Sequence, residues 1–227
     1  MTPPGSDDAA RARPRSRLVV AAGLAALLLL LGGLAIGRLT APNAPLPPST
    51  TSAEAGFARD MQTHHLQAVE MAMIIRSTTE EPDLLTLSYD IATSQAQQAG
   101  QMFGWLSVWG LPPASPEPAM TWMTRPALDG STHGHDDGNG DGAAHIPGEP
   151  MPGLATSEQL AELRAADGEA ADELFLTLMI AHHEGGVGMA EALLDRSDNA
   201  VATSLARGIV NSQQGEINYM LQLLAAS

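Results

Sequence analysis

The hydrophobic positions divide the chain into one unbroken apolar run and four longer stretches in which apolar and polar residues recur with a helical period. The run, residues 18–37, carries no charge over 20 positions, enough as a helix to cross roughly 30 Å of hydrocarbon. The first amphipathic stretch opens at Thr51, with Glu54 three residues on as a capping box, and runs to Arg76. After a polar interval over 77–81, Pro82 suits a first helical position, and a second helix is expected to reach Trp109. Residues 110–153 are rich in Pro and Gly and predict a long connection without regular helices. A second capping box, Thr156 with Gln159, opens a short helix over 157–166, which Asp167-Gly168 breaks. Third and fourth helices fit 169–194 and 199–225. The pattern predicts an all-α protein in which two short-looped hairpins, 54–109 and 169–225, are joined by the crossover 110–153 and packed as a four-helix bundle over 54–227.

Charge adds a topology. The chain has 227 residues, with 26 acidic groups against 11 basic ones, all arginine, for a net charge of −15. Arg11, Arg13, Arg15 and Arg17 lie in the tail 1–17 ahead of the apolar run, and Arg38 alone follows it closely. That asymmetry predicts a cytoplasmic N-terminus and an exported remainder. Residues 18–37 then read as an uncleaved transmembrane signal anchor, making a single-pass protein of the cell membrane with its bundle outside the cytoplasm. The alternative is a cleaved signal peptide and secretion, for which 39–41 and 42–44 are weak small-x-small sites. Residues 38–53, with Pro42, Pro45, Pro47 and Pro48, read as a stalk. From Arg38 onward the balance is −17, so no nucleic-acid partner is expected, since phosphate binding needs Lys and Arg. The absence of cysteine excludes disulfides, thiolate-bound zinc, iron–sulfur clusters and a cysteine nucleophile.

The two hairpins are also copies of one another. A shift of 118 residues places Phe57, Met61, His64, His65, Val69, Met71 and Ala72 on Phe175, Met179, His182, His183, Val187, Met189 and Ala190. It also places Leu87, Ile91, Ser94, Gln95, Met102 and Leu106 on Leu205, Ile209, Ser212, Gln213, Met220 and Leu224. These are 13 identities in the 51 positions of 57–107. At 100° per residue Met61, His65, Ala68 and Ala72 share one face, with His64 and Met71 on its flank. Met179 and His183 repeat that face, flanked by His182 and Met189. The partner helices offer Gln95, Gln98 and Met102 in one half and Gln213, Glu216 and Met220 in the other.

Thioether sulfur favours Cu(I), whereas Mg and Ca want hard oxygen, and imidazole serves most transition metals. No histidine has a Glu three residues before it, which argues against the di-iron carboxylate bundles. The donor set therefore points to copper, with Cu(I) favoured, silver as its mimic and other transition metals as alternatives. Methionine stripes more often fill cores than bind metals, and a single buried His is usually structural; duplication of the adjacent pair with flanking methionines is what favours a metal site. Binding is expected to weaken as the histidines protonate near their ordinary pKa of about 6.5.

In the crossover, His133, His135 and His145 stand near Asp136, Asp137 and Asp141. The run from Asp137 to Gly142 imitates the start of a calcium loop, but its acid, Glu149, comes one residue late. A solvated linker and a loose metal-capturing loop are both compatible with these residues. One of Met120, Met123 and Met151 is expected to add a thioether donor near a bundle end. No nucleophile elbow, phosphate loop or H-E-x-x-H is present, so no catalytic residue is assigned. Gly185, Gly186 and Gly188 are costly inside a helix, at about 1 kcal/mol each against Ala, and are expected to let a facing helix approach beside His182 and His183.

The segment 179–191, M-I-A-H-H-E-G-G-V-G-M-A-E, followed by Gln213-x-x-Glu216-Ile217-x-x-Met220, resembles a domain-of-unknown-function family of exported ferritin-like bundles that includes cyanobacterial periplasmic copper-binding proteins. Met151-Pro152-Gly153 leading to Leu163, Ala166 and Phe175 is similar to that family's lead-in to its second HH helix. The resemblance covers roughly 54–225. It implies a ferritin-like four-helix bundle, copper handling outside the cytoplasm, and ligands among Met61, His64, His65, Met71, Met179, His182, His183 and Met189. The first copy departs from the pattern, with Leu66-Gln67 after its histidines and Gln98-Ala99 where the second has Glu216-Ile217. It is therefore expected to bind more weakly or to serve folding alone. The expected function is extracytoplasmic copper binding in metal homeostasis or resistance, without turnover and with no protein partner identified. Two alternatives stand beside it: a structural or partner-binding bundle without metal, and a redox enzyme using a bound metal with an open coordination position.

Overall fold

The structure, a computed structural model, describes residues 13–40, 46–131 and 146–226. Among the described residues there are six α-helices, one short 3-10 turn and no strand. His133, His135, His145 and their acidic neighbours, Arg11 of the basic tail, and Pro42 and Pro45 of the stalk lie outside them. The chain divides into two units, Met1–Leu46 and Pro47–Ser227.

The first unit holds α1 (Arg13–Thr40). Its stretch Arg17–Thr40 has a mean hydropathy of 2.6 and is long and apolar enough to cross a membrane.

The second unit holds α2 (Ala53–Arg76), α3 (Pro82–Val108), a 3-10 turn (Thr121–Thr124), α4 (Ser157–Ala165), α5 (Gly168–Arg196) and α6 (Ala200–Leu224). The cap of α2 is Ser52 and not Thr51: the Ser52 hydroxyl accepts the Ala55 N–H. Glu54 is drawn away from capping because its carboxylate accepts the Ser197 hydroxyl at the end of α5. At α4 the capping box forms in both directions, Thr156 Oγ1 accepting from Gln159 N and Gln159 Oε1 accepting from Thr156 N. Asn199 caps α6 through two backbone N–H groups.

Helices α2 and α5 pack on one another, each with its own hairpin partner, α3 or α6. They run antiparallel, because Met61 near the start of α2 shares an apolar cluster with Met189 near the end of α5, while Met71 shares the other with Met179. The core is thus two apolar clusters, one toward each end of the bundle. Between them in sequence on α2, α3, α5 and α6 fall His64, His65, Gln95, His182, His183 and Gln213, none more than 2% exposed. A polar layer crosses the middle of an otherwise apolar core.

The crossover is tied to the start of α2. The Arg59 guanidinium donates to the carbonyls of Thr50 and Pro112, and the Asp60 carboxylate accepts from Met120 N at 2.7 Å and Trp122 Nε1 at 2.9 Å. Trp122 lies edge-on to Phe57 and packs over Gly56, where a Cβ would stand 2.4 Å from the indole.

Candidate metal centre

Each of the four repeated histidines is fully buried, and each uses Nε2 for a different partner. His64 Nε2 donates to the Pro152 carbonyl at 3.0 Å, and His182 Nε2 to the His64 carbonyl at 3.0 Å. His65 Nε2 donates to Gln98 Oε1 at 2.7 Å, and His183 Nε2 to the Glu216 carboxylate at 2.8 Å. The rings of His64 and His182 face each other at 3.8 Å between centroids, tilted by 38°. The two HH motifs therefore meet at the centre of the bundle.

These partners decide the tautomer. A carbonyl or carboxylate oxygen only accepts, so Nε2 carries the proton, and a neutral imidazole then presents a bare lone pair at Nδ1. All four Nδ1 atoms are buried with no hydrogen-bond partner, and so are both amide atoms of Gln95 and of Gln213. At about 1–3 kcal/mol for each unsatisfied buried group, eight such atoms weigh heavily against the 5–15 kcal/mol by which domains are ordinarily stable. Local rules broken at this cost mark functional sites. The donor types suit a soft or borderline metal: imidazole nitrogen in the layer, thioether sulfur in the apolar clusters on either side of it, and an oxygen acceptor behind each ring that holds its orientation. Among the described residues no three or more His, Asp and Glu side chains converge on one point.

Burial favours the neutral form of His64, His65 and His182. Burial pushes His64 down to about 4 against the opposing pull of the Pro152 carbonyl. It pushes His65 to about 3, with the charge of His64 adding to the effect. His182 is lowered well below its ordinary value by burial and then by His64. The expectation that proton competition begins near 6.5 is corrected by this burial: for these residues it is displaced to more acid pH.

A backbone wedge builds the asymmetry of the layer. Gln67 on α2 grips Ala155 through both backbone groups, at 2.9 and 2.7 Å, and this lays 152–155 across the bundle. Gly153 has φ +75°, and a Cβ there would stand 2.2 Å from the Ala181 carbonyl oxygen. At Gly185 a Cβ would stand 2.1 Å from the Pro152 carbonyl oxygen, and at Gly186 one would stand 2.4 Å from Gln213 Oε1. The expected close approach of a facing helix holds at Gly186. At Gly185 the approaching element is the crossover backbone, and Gly188 has nothing within 4 Å.

Met61, Met71, Met179 and Met189 are all fully buried. They divide across the hairpins, Met61 with Met189 and Met71 with Met179, because α2 and α5 are antiparallel. Met102 joins the first pair and Met220 the second. Two crossover methionines, Met120 and Met151, are buried in the first cluster, with Met123 packed against it. Gln95, Gln213, Met102 and Met220 belong to the layer and its borders although the candidate ligand set omitted them; the signal was their identity between the repeats. The Pro152 carbonyl, a backbone group, had no such signal.

The domain of unknown function DUF305 matches residues 54–224. A DUF305 protein from Streptomyces coelicolor is 43% identical, covering 78% of this chain and 95% of that one, with a TM-score of 0.66. A DUF305 fragment from Deinococcus radiodurans is 30% identical, covering 79% and 100%, with a TM-score of 0.59. CopM in its Cu(I)-bound form is 24% identical, covering 77% and 96%, with a TM-score of 0.55, a likeness of fold. No curated protein matches the chain.

Proposed function

We propose that this chain, which belongs to the DUF305 family, is a metal-binding protein of the cell envelope whose preferred cargo is copper, chiefly as Cu(I). The observation that carries the reading is the set of four buried imidazoles, each with Nε2 tied down and Nδ1 unpartnered. His64, His65, His182 and His183 would supply nitrogen, and Met61, Met71, Met179 and Met189 are the candidate thioether donors. Fixed partners at Nε2 pre-set the ring orientations, which lowers the cost of ordering the ligands. The surrounding apolar clusters keep water from competing. CopM, with the same fold, has been solved in Cu(I)-, Cu(II)- and silver-bound forms, which supports a soft-metal reading of this donor set.

The location follows from the apolar helix and the four arginines ahead of it. In this reading α1 anchors the chain, the N-terminus stays in the cytoplasm and the bundle faces outward. The role is buffering or handing on copper, with no turnover. A structural bundle without metal would have no use for eight unsatisfied polar atoms at its centre. Titrating the full-length protein in detergent with Cu(I) under reducing conditions tests the reading. Replacing all four histidines by alanine should weaken binding by more than about 100-fold; equal affinity of the variant and the parent would remove the site assignment.

A further inference from the structure

The repeat places an acceptor behind the second histidine of each pair at the same register, one turn-face away on the partner helix. In hairpin one it is the neutral amide of Gln98, 2.7 Å from His65 Nε2; in hairpin two it is the carboxylate of Glu216, 2.8 Å from His183 Nε2. The carboxylate is only 23% exposed and no arginine pairs with it among the described residues. Its charge is therefore directed at the imidazole and at whatever the imidazole holds.

We propose that Glu216 makes the two halves unequal: the half around His183 is tighter and favours divalent ions, while the half around His65, backed by Gln98, is left to monovalent soft ions. This rests on the metal-binding reading above. A carboxylate accepting the imidazole N–H raises the electron density on the opposite nitrogen and strengthens it as a donor. At a fixed distance the same carboxylate attracts a doubly charged ion twice as strongly as a singly charged one. Removing the charge therefore costs a divalent ion roughly the square of the factor it costs a monovalent one. Glu216 acts here as a positioning and selectivity residue, not as a ligand.

The test uses full-length protein in detergent, with Ag(I) as a redox-inert monovalent probe and Cu(II) as the divalent one, each titrated against a competing chelator. For Cu(II) the parent should bind in two separated steps. Glu216→Gln should weaken the tighter Cu(II) step by about 100-fold and Ag(I) by about 10-fold, within the range usual for such partners. Gln98→Glu should do the reverse, raising the weaker Cu(II) step toward the stronger one. That gain cannot arise from misfolding, so it decides the matter even where Glu216→Gln is unstable. Equal losses for the two ions, or no gain in Gln98→Glu, would overturn the proposal while leaving metal binding intact. Failure of the parent to bind either ion would instead overturn the metal-binding reading itself.

Discussion

Hairpin one and hairpin two carry the same histidine pair at the same helical register, yet their four imidazoles are held in four different ways. His64 leans on a crossover carbonyl, His182 on the backbone of His64, His65 on an amide and His183 on a carboxylate. The inner chemistry is duplicated and the outer support is not. Hairpin one also carries the Arg59–Asp60 tie to the crossover, whereas hairpin two has Thr177 and Leu178 at those positions. Duplication alone would give a symmetric bundle. The wedge at 152–155, gripped by Gln67 and seated on Gly185, is what makes one helix a receiver of the crossover and the other its anchor.

Acid should act on what the hairpins share, and with the largest effect. His64, His65 and His182 have lowered pKa values in the fold, so the unfolded chain takes up protons first as pH falls. The stability they confer is complete above about pH 6.5 and drains away toward pH 4 for His64 and pH 3 for His65. His64 alone accounts for roughly 3 kcal/mol across that window. Chemical denaturation of the metal-free protein at pH 7 and pH 4.5 measures this; equal midpoints would contradict it.

The wedge is broken next by Gly185→Leu, which forces a side chain into the Pro152 carbonyl and should cost about 3 kcal/mol. The equivalent change in hairpin one, Gln67→Ala, loses two hydrogen bonds to Ala155 and should cost about 1 to 3 kcal/mol. Thermal melts of the two variants compare the seat of the wedge with its grip, and the order should not invert. Gln213→Leu and Gln95→Leu replace unpartnered buried amides and should each stabilise the metal-free protein by about 1 to 3 kcal/mol, visible as a raised Tm. The smallest effect belongs to Gly188→Ala. Gly188 meets nothing within 4 Å, so the change should add about 0.5 to 1 kcal/mol by helix propensity, in contrast to its neighbour Gly185.

Much of this was legible in the sequence because the repeat marked which apolar positions face inward. The helix limits lay within two or three residues of those read from caps and breakers, and the capping box at Thr156 was recognisable because both its members are local. Thr51 misled, since Glu54 answers to Ser197, which is 143 residues away in sequence. The convergence of the two HH pairs was not legible, because it depends on α2 and α5 running antiparallel in contact. The same geometry divided the methionines between opposite clusters. Nor does a sequence show that Nε2 is occupied at each of the four repeated histidines, because two of the acceptors are backbone carbonyls of Pro152 and His64.

One measurement reaches that tautomer directly: long-range proton–nitrogen correlation on histidine-labelled full-length protein, before and after Ag(I). Without metal the four repeated histidines should all show Nε2–H and bare Nδ1. With one equivalent or more of Ag(I), the Nδ1 resonances should shift while Nε2 keeps its proton. Metal-induced shifts at Nε2, or no shift at any of the four, would contradict a metal centre built on Nδ1 in the middle of the bundle.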